Sequence, residues 1–185
     1  MVNTVDLSKF TVGDFDKGAS KFKIFLWYFV NCLFVRPSFI PFMGTKIFLL
    51  RLFGSKIGKN LVLKPGVLVK SPWNLTVGDN CWIGENVWID NLDKVCIGNN
   101  VCISQGAMLL TGNHDYTLSH MPYRNAPIYI KDGAWVGAKA VVCPGVTLYT
   151  NSILTVGSIA TKELEQNGIY QGNPAHLIRE RYIYG

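Results

Sequence analysis

Val77-Gly-Asp-Asn-Cys81-Trp-Ile83-Gly-Glu-Asn-Val87-Trp-Ile89 carries an aliphatic residue at every sixth position and a compact residue four places after each of the first two. The beat extends outward to Ile57, Leu63 and Val69, to Ile97, Ile103 and Leu109, and to Ile130, Val136, Val142, Leu148 and Leu154. Four places beyond these positions stand Val67, Cys81, Val87, Val101, Ala107, Ala134, Ala140, Val146, Ser152 and Ser158. A helix of period 3.6 cannot keep a six-residue beat on one face, whereas short strands joined by tight corners can. Gly78-Asp79-Asn80 and Gly98-Asn99-Asn100 supply the left-handed backbone that such corners need. The body is therefore predicted to be mainly β, a solenoid with three hexads to a coil and roughly five or six coils. One coil cannot bury its own apolar face, so aliphatic residues of successive coils must stack into a continuous core. The register slips by two residues after Val69 and after Ile89, which are read as corner insertions.

Composition agrees with one folded domain: 185 residues, 49% of them apolar and only 16% charged. The net charge of +6 is unevenly placed, with eight basic and three acidic residues in 1–56 against ten and nine in 57–185. A nucleic-acid platform across the main body is thereby disfavoured. Five cysteines (Cys32, Cys81, Cys96, Cys102 and Cys143) form no C-x-x-C pair, and no cleavable signal opens the chain, so reduced thiols and a cytoplasmic location are expected. The apolar run of residues 24–35 is too short to span a bilayer, which takes about 20 residues.

Ahead of the solenoid, Ser20 can cap a helix that ends before Pro37, and Thr45 can start another ended by Gly54. The stretch Lys21-Phe-Lys-Ile-Phe-Leu-Trp-Tyr-Phe-Val30 is apolar on every side and must be covered by something. Two coverings stay open. The helix can pack on the end of the solenoid and protect a sheet edge, or it can dock on an anionic membrane through Lys17, Lys21, Lys23, Arg36, Lys46 and Arg51. The expected organisation is an N-terminal helical segment (1–55) packing on the solenoid, a β-helix (56–165) and a C-terminal tail (166–185).

The repeat is interrupted on a large scale once, at residues 111–127, by Thr-Gly-Asn-His114-Asp115-Tyr116-Thr-Leu-Ser-His120-Met-Pro-Tyr123-Arg124-Asn-Ala-Pro. Long loops inside a regular body are usually functional or disordered. His114 is the candidate for chemistry, because neutral imidazole accepts a proton near pH 7; a merely solvated histidine is the competing reading. Asp115 is placed to orient that imidazole or to be a solvated carboxylate. Asp90 and Asn91 occupy a corner one coil earlier and either bind acceptor hydroxyls or form the corner. Trp82, Trp88, Tyr116 and Tyr123 can stack on a sugar or pack at a subunit interface.

Val87-Trp-Ile-Asp90-Asn91-Leu, Val101-Cys-Ile-Ser-Gln-Gly, Thr111-Gly-Asn-His114-Asp115, Asp132-Gly-Ala-Trp-Val-Gly-Ala-Lys-Ala, Val142-Cys-Pro-Gly-Val, Ala160-Thr161-Lys162 and Gly172-Asn-Pro-Ala175 occur in this order. Together they resemble the hexapeptide-repeat acyltransferases, specifically the colanic-acid-type O-acetyltransferases, from about the first helix to the C-terminus. The resemblance implies a left-handed parallel β-helix, a homotrimer with active sites between subunits, and acetyl transfer from acetyl-CoA to a sugar hydroxyl without a metal. It makes His114 the general base. By likeness to the maltose and galactoside acetyltransferases, the coenzyme would meet Ala138, Val156, Thr161, Lys162, His176 and Arg179. His176 departs from the arginine those relatives tend to carry. The acceptor implied is a precursor of a surface polysaccharide, presented at the inner membrane face if it is lipid-linked. Acetylation of a free sugar or antibiotic, a non-catalytic trimeric scaffold, and a carbonic-anhydrase-like zinc enzyme using His114, His120 and His176 are the alternatives.

Overall fold

The computed structural model describes residues 4–13, 15–40 and 42–184, and in it the hexads wind into a parallel β-solenoid with three faces. The first face stacks Lys56–Ile57, Leu75–Val77, Val95–Ile97, Ile128–Ile130 and Thr147–Leu148. The second stacks Val62–Leu63, Trp82–Ile83, Cys102–Ile103, Trp135–Val136 and Ile153–Leu154; the third stacks Leu68–Val69, Trp88–Asp90, Met108–Leu110, Val141–Val142 and Ile159–Ala160. Each strand bonds to its counterpart one coil away, as where Gly84 N–H donates to the Ile103 carbonyl at 2.7 Å. Every aliphatic hexad position except Ile57 is buried, and so are all ten compact positions. The compact residues keep the interior narrow, so the aliphatic residues of successive coils stack into one core.

Corner chemistry divides between two residue types. Asparagine takes the left-handed conformation, with φ of +55° at Asn60 and Asn100 and +57° at Asn80. Gly78 meets a different need: a Cβ there would lie 2.6 Å from the Gly98 carbonyl oxygen. Side-chain acceptors run down the same corner, where Asp79 Oδ1 accepts from Lys59 N–H at 2.7 Å, Asn99 Oδ1 from Asp79 N–H at 2.8 Å and Asp132 Oδ1 from Asn99 N–H at 2.7 Å.

Both register slips and the long loop fall at one corner, between the third and first faces. They stack on one another through side chains. Asn91 Oδ1 accepts from Ser71 N–H at 2.9 Å while its Nδ2 donates to the Ser71 carbonyl at 2.6 Å. Thr111 Oγ1 donates to the Asp90 carbonyl and accepts from Asp93 N–H, both at 2.9 Å.

Two helices close the N-terminal end. Ser20 Oγ caps α1 (Lys21–Val30), accepting from Lys23 N–H at 3.3 Å, and the helix runs on as a π-helical turn over Asn31–Val35 before Pro37. Helix α2 (Met43–Leu52) begins two residues before Thr45 and has no side-chain cap; its start is anchored instead by Met43, whose Sδ lies 3.1 Å from Leu63 N. The helices satisfy edge carbonyls of the first coil: Trp27 Nε1 donates to Val69 at 3.1 Å, and Arg51 Nη2 to Ile57 and Gly58 at 2.9 and 2.8 Å. At the other end Gly168–Gly172 continues the second face beside Ile153–Leu154, and Ala175–Glu180 folds back antiparallel to it. Among the described residues no helix is long and apolar enough to cross a membrane.

Candidate active site

The loop of residues 111–127 closes on itself as an irregular hairpin. Asp115 N–H donates to Pro122 at 2.9 Å, Arg124 N–H to Asn113 at 2.8 Å and Ala126 N–H to Thr111 at 3.1 Å, so His114 stands directly opposite Tyr123. The half-buried imidazole stacks on Tyr123, with ring centroids 5.0 Å apart, and meets the edge of Phe10 at 6.0 Å. Its Nδ1 lies 2.7 Å from the carbonyl oxygen of Met121. A carbonyl can only accept, so in the neutral ring Nδ1 carries the proton and Nε2 keeps the lone pair of a base. Met121 adopts φ +44°, a left-handed turn within the hairpin.

The carboxylate of Asp115 turns away from this ring. Its Oδ1 accepts from the hydroxyl of Thr117 and, at 3.0 Å, from Thr117 N–H, and these bonds hold it below the ordinary carboxylate range. The imidazole is oriented by Met121, a residue that sequence reasoning missed because a backbone carbonyl has no side-chain signature.

The acceptor-side candidates separate. Asn91 is fully buried with both polar atoms committed to Ser71, so it shapes the corner and presents nothing to a ligand. Asp90 is mostly covered and pairs with Lys70, Nζ to Oδ1 2.7 Å. Gly112 lets the loop pass close by, since a Cβ there would come within 3.2 Å of Asp90 Oδ2. Tyr116 is exposed in the loop. Trp88 lies on the outer third face, in a cavity of about 570 Å³ shared with Arg36, Pro37 and Gly66 and not with the loop. Trp82 is exposed on the second face.

A larger cleft of about 590 Å³ opens between the N-terminal arm (Phe15, Asp16), the second slip (Asp93, Lys94) and the loop (Tyr123, Arg124). It adjoins a smaller cavity of about 190 Å³ through Phe15, Leu92 and Tyr123. Phe15 packs on the Tyr123 ring at 4.9 Å, tying the arm to the residue that supports His114. Sequence reasoning missed Phe10, Phe15, Asp16, Asp93, Lys94 and Arg124. The signal available was that both slips and the loop share one corner.

Ala138 and Val156 come together in an apolar groove of about 450 Å³ with Trp135 and Thr155, at the corner between the second and third faces. Thr161 and Lys162 are exposed just after Ile159–Ala160, and His176 and Arg179 are exposed on the strand Ala175–Glu180. Among the described residues the ion pairs are Lys9–Asp6 and Lys70–Asp90, which leaves Lys162 and Arg179 without a carboxylate partner. The apolar slot fits the pantetheine arm of a coenzyme A thioester, and exposed cations such as Lys162 and Arg179, which do not line the slot itself, suit its phosphates. Among the described residues, no three His, Cys, Asp or Glu side chains gather into a metal-holding group.

No family profile matches the chain. It is 39% identical over 176 residues to the colanic acid biosynthesis acetyltransferase WcaF of Escherichia coli (strain K12), covering 95% of this chain and 97% of that one. It is 31% identical over 129 residues to the galactoside O-acetyltransferase of the same organism, covering 67% and 63%. Among solved structures, the hexapeptide-repeat acetyltransferase VCA0836 of Vibrio cholerae O1 biovar eltor, complexed with acetyl coenzyme A, superposes with a TM-score of 0.78 at 20% identity over 96% of this chain and 98% of that one. A galactoside acetyltransferase in complex with coenzyme A gives 0.74 at 25% identity over 85% and 80%. With the left-handed solenoid of those structures and near full-length similarity to WcaF, the chain belongs to the hexapeptide-repeat acetyltransferases, in the colanic-acid-type branch of these enzymes.

Proposed function

We propose that the protein moves an acetyl group from acetyl-CoA to a sugar hydroxyl in the making of a surface polysaccharide, with His114 as general base. The observation that carries this reading is the Nδ1 contact with the Met121 carbonyl, which leaves Nε2 as the basic nitrogen. Nε2 takes the proton of the acceptor hydroxyl as that oxygen attacks the thioester carbonyl, and returns it to sulfur as the C–S bond breaks. The Met121 carbonyl and the face of Tyr123 support the ring while it is positively charged. Backbone N–H groups stabilise the charge that develops on the carbonyl oxygen. Asp115 acts on the loop through Thr117 rather than on the imidazole.

The cleft beside Tyr123 would take the acceptor, where Asp16, Asp93 and Arg124 offer both hydrogen-bond acceptors and donors to sugar hydroxyls; Asp90 and Tyr116 do not line it. Ala138, Val156, Thr161, Lys162, His176 and Arg179 would hold the coenzyme. His114 and the Ala138–Val156 groove lie on two different corners of the solenoid, which supports a homotrimer in which one subunit's loop faces its neighbour's groove. The reading includes a cytoplasmic location, with the basic N-terminal segment at the inner membrane face.

Release of free coenzyme A across mono-, oligo- and lipid-linked sugars, with mass measurement of the product, tests the reading. His114→Ala should lower kcat by roughly 10² to 10⁴ while leaving coenzyme affinity nearly intact. Unchanged turnover in that variant would assign the base to another group, and no coenzyme A release from the wild type with any acceptor would return the chain to a scaffold role.

A further inference from the structure

Helix α1 and its π-helical extension bury one stripe, Trp27, Asn31 and Val35, against the first coil. At 3.6 residues per turn, Phe22, Phe25, Leu26, Phe29 and Leu33 project on the opposite side, and all five are exposed. Exposed aromatic residues follow on the connection to α2 and on α2 itself: Phe39 is 82% exposed, Phe42 69% and Phe48 61%. A helix that is apolar all round is ordinarily covered on all sides, and an exposed aromatic field of this extent marks an interaction surface.

The surrounding charge selects the partner. Between Asp16 and Asp79 the chain contains no Asp or Glu at all, yet it carries ten Lys and Arg residues. Lys46 is buried with Nζ on the Pro37 carbonyl, Arg51 holds edge carbonyls, Lys23 lies over Trp73 and Lys70 pairs with Asp90; Lys17, Lys21, Arg36, Lys56, Lys59 and Lys64 remain exposed. A second copy seated face to face would set these cations against one another with no carboxylate from residues 17–78 to relieve them. An anionic bilayer relieves them, accepts aromatic rings at its headgroup boundary, and needs no shape complementarity.

We propose that the outer face of α1, with Phe39, Phe42 and Phe48, docks the protein peripherally on a membrane surface rich in anionic phospholipid. The docking gives the membrane location in the functional reading a specific surface and lipid chemistry, but does not depend on the acetyl-transfer chemistry.

Co-sedimentation of the full chain with phosphatidylcholine vesicles, with and without phosphatidylglycerol, tests it in the absence of acetyl-CoA and sugar, so a failure here leaves the transferase reading untouched. Binding is expected only with phosphatidylglycerol and should weaken as salt rises. Combined Phe22→Ser, Phe25→Ser and Phe39→Ser should reduce it at least about tenfold, since each ring adds buried apolar area on docking. Lys21→Gln and Arg36→Gln should each cost about fivefold. The substituted side chains are exposed, and unchanged circular dichroism and coenzyme A release would show that the variants remain folded. No binding to anionic vesicles, equal binding to neutral ones, or wild-type binding by the folded phenylalanine variant overturns the proposal. So does a change of oligomeric state in that variant, which would identify the occupant as another copy of this chain.

Discussion

In the proposed reaction the chemistry comes down to which nitrogen of His114 holds the proton. The carbonyl of Met121 decides it at 2.7 Å, whereas the adjacent Asp115 is spent on Thr117. Asp115→Asn should therefore leave the acid limb of the pH–rate profile unmoved and lower kcat less than about tenfold, far short of the His114→Ala effect. A pH–rate series on the purified variant checks this, and a moved limb would show the carboxylate acting on the imidazole. The same pair shows what sequence discloses at this scale. His114 stands out because its side chain carries its chemistry and its loop breaks a regular beat. Its partner is a main-chain oxygen aimed by a left-handed turn at Met121, and composition holds no trace of that aim.

From Lys56–Ile57 to Ile159–Ala160 the solenoid's strands are two to three residues long, too short to be stable singly, so their stability lies in the stacking of one coil on the next. Leu148 is fully buried in that stack and distant in sequence from the loop. Leu148→Ala should cost about 2–5 kcal/mol, read as a lowered denaturation midpoint. Gly78→Ala should also destabilise, because its Cβ would meet the next coil's carbonyl oxygen. The solenoid was legible because burial alone imposes its period: an aliphatic residue every sixth position needs no partner identity to be recognised. Helix α2 was less so. Thr45 offers a cap, but the helix starts at Met43, where a contact with Leu63, 20 residues away, overrides the local signal. Slips after Val69 and Ile89 were visible as irregularities; their meaning emerged only when three coils placed them under the loop.

At the scale of the whole molecule, the proposed functions fall on distinct parts of the solenoid: the loop with its imidazole, the apolar groove of Ala138 and Val156, and the cationic aromatic end. In the proposed homotrimer the first two meet between neighbouring subunits. That assembly was implied by family resemblance, since a six-residue beat says nothing of the surfaces turned outward. Coenzyme A release from co-expressed His114→Ala and Ala138→Trp subunits measures it directly, because the first lacks the proposed base and the second has its groove filled. In a trimer with shared sites, random mixing in equal amounts should restore about one quarter of wild-type activity, the chance that an intact loop faces an intact groove. Mixed enzyme no more active than either variant alone would contradict the account, for it would mean that loop and groove serve the same site within one chain.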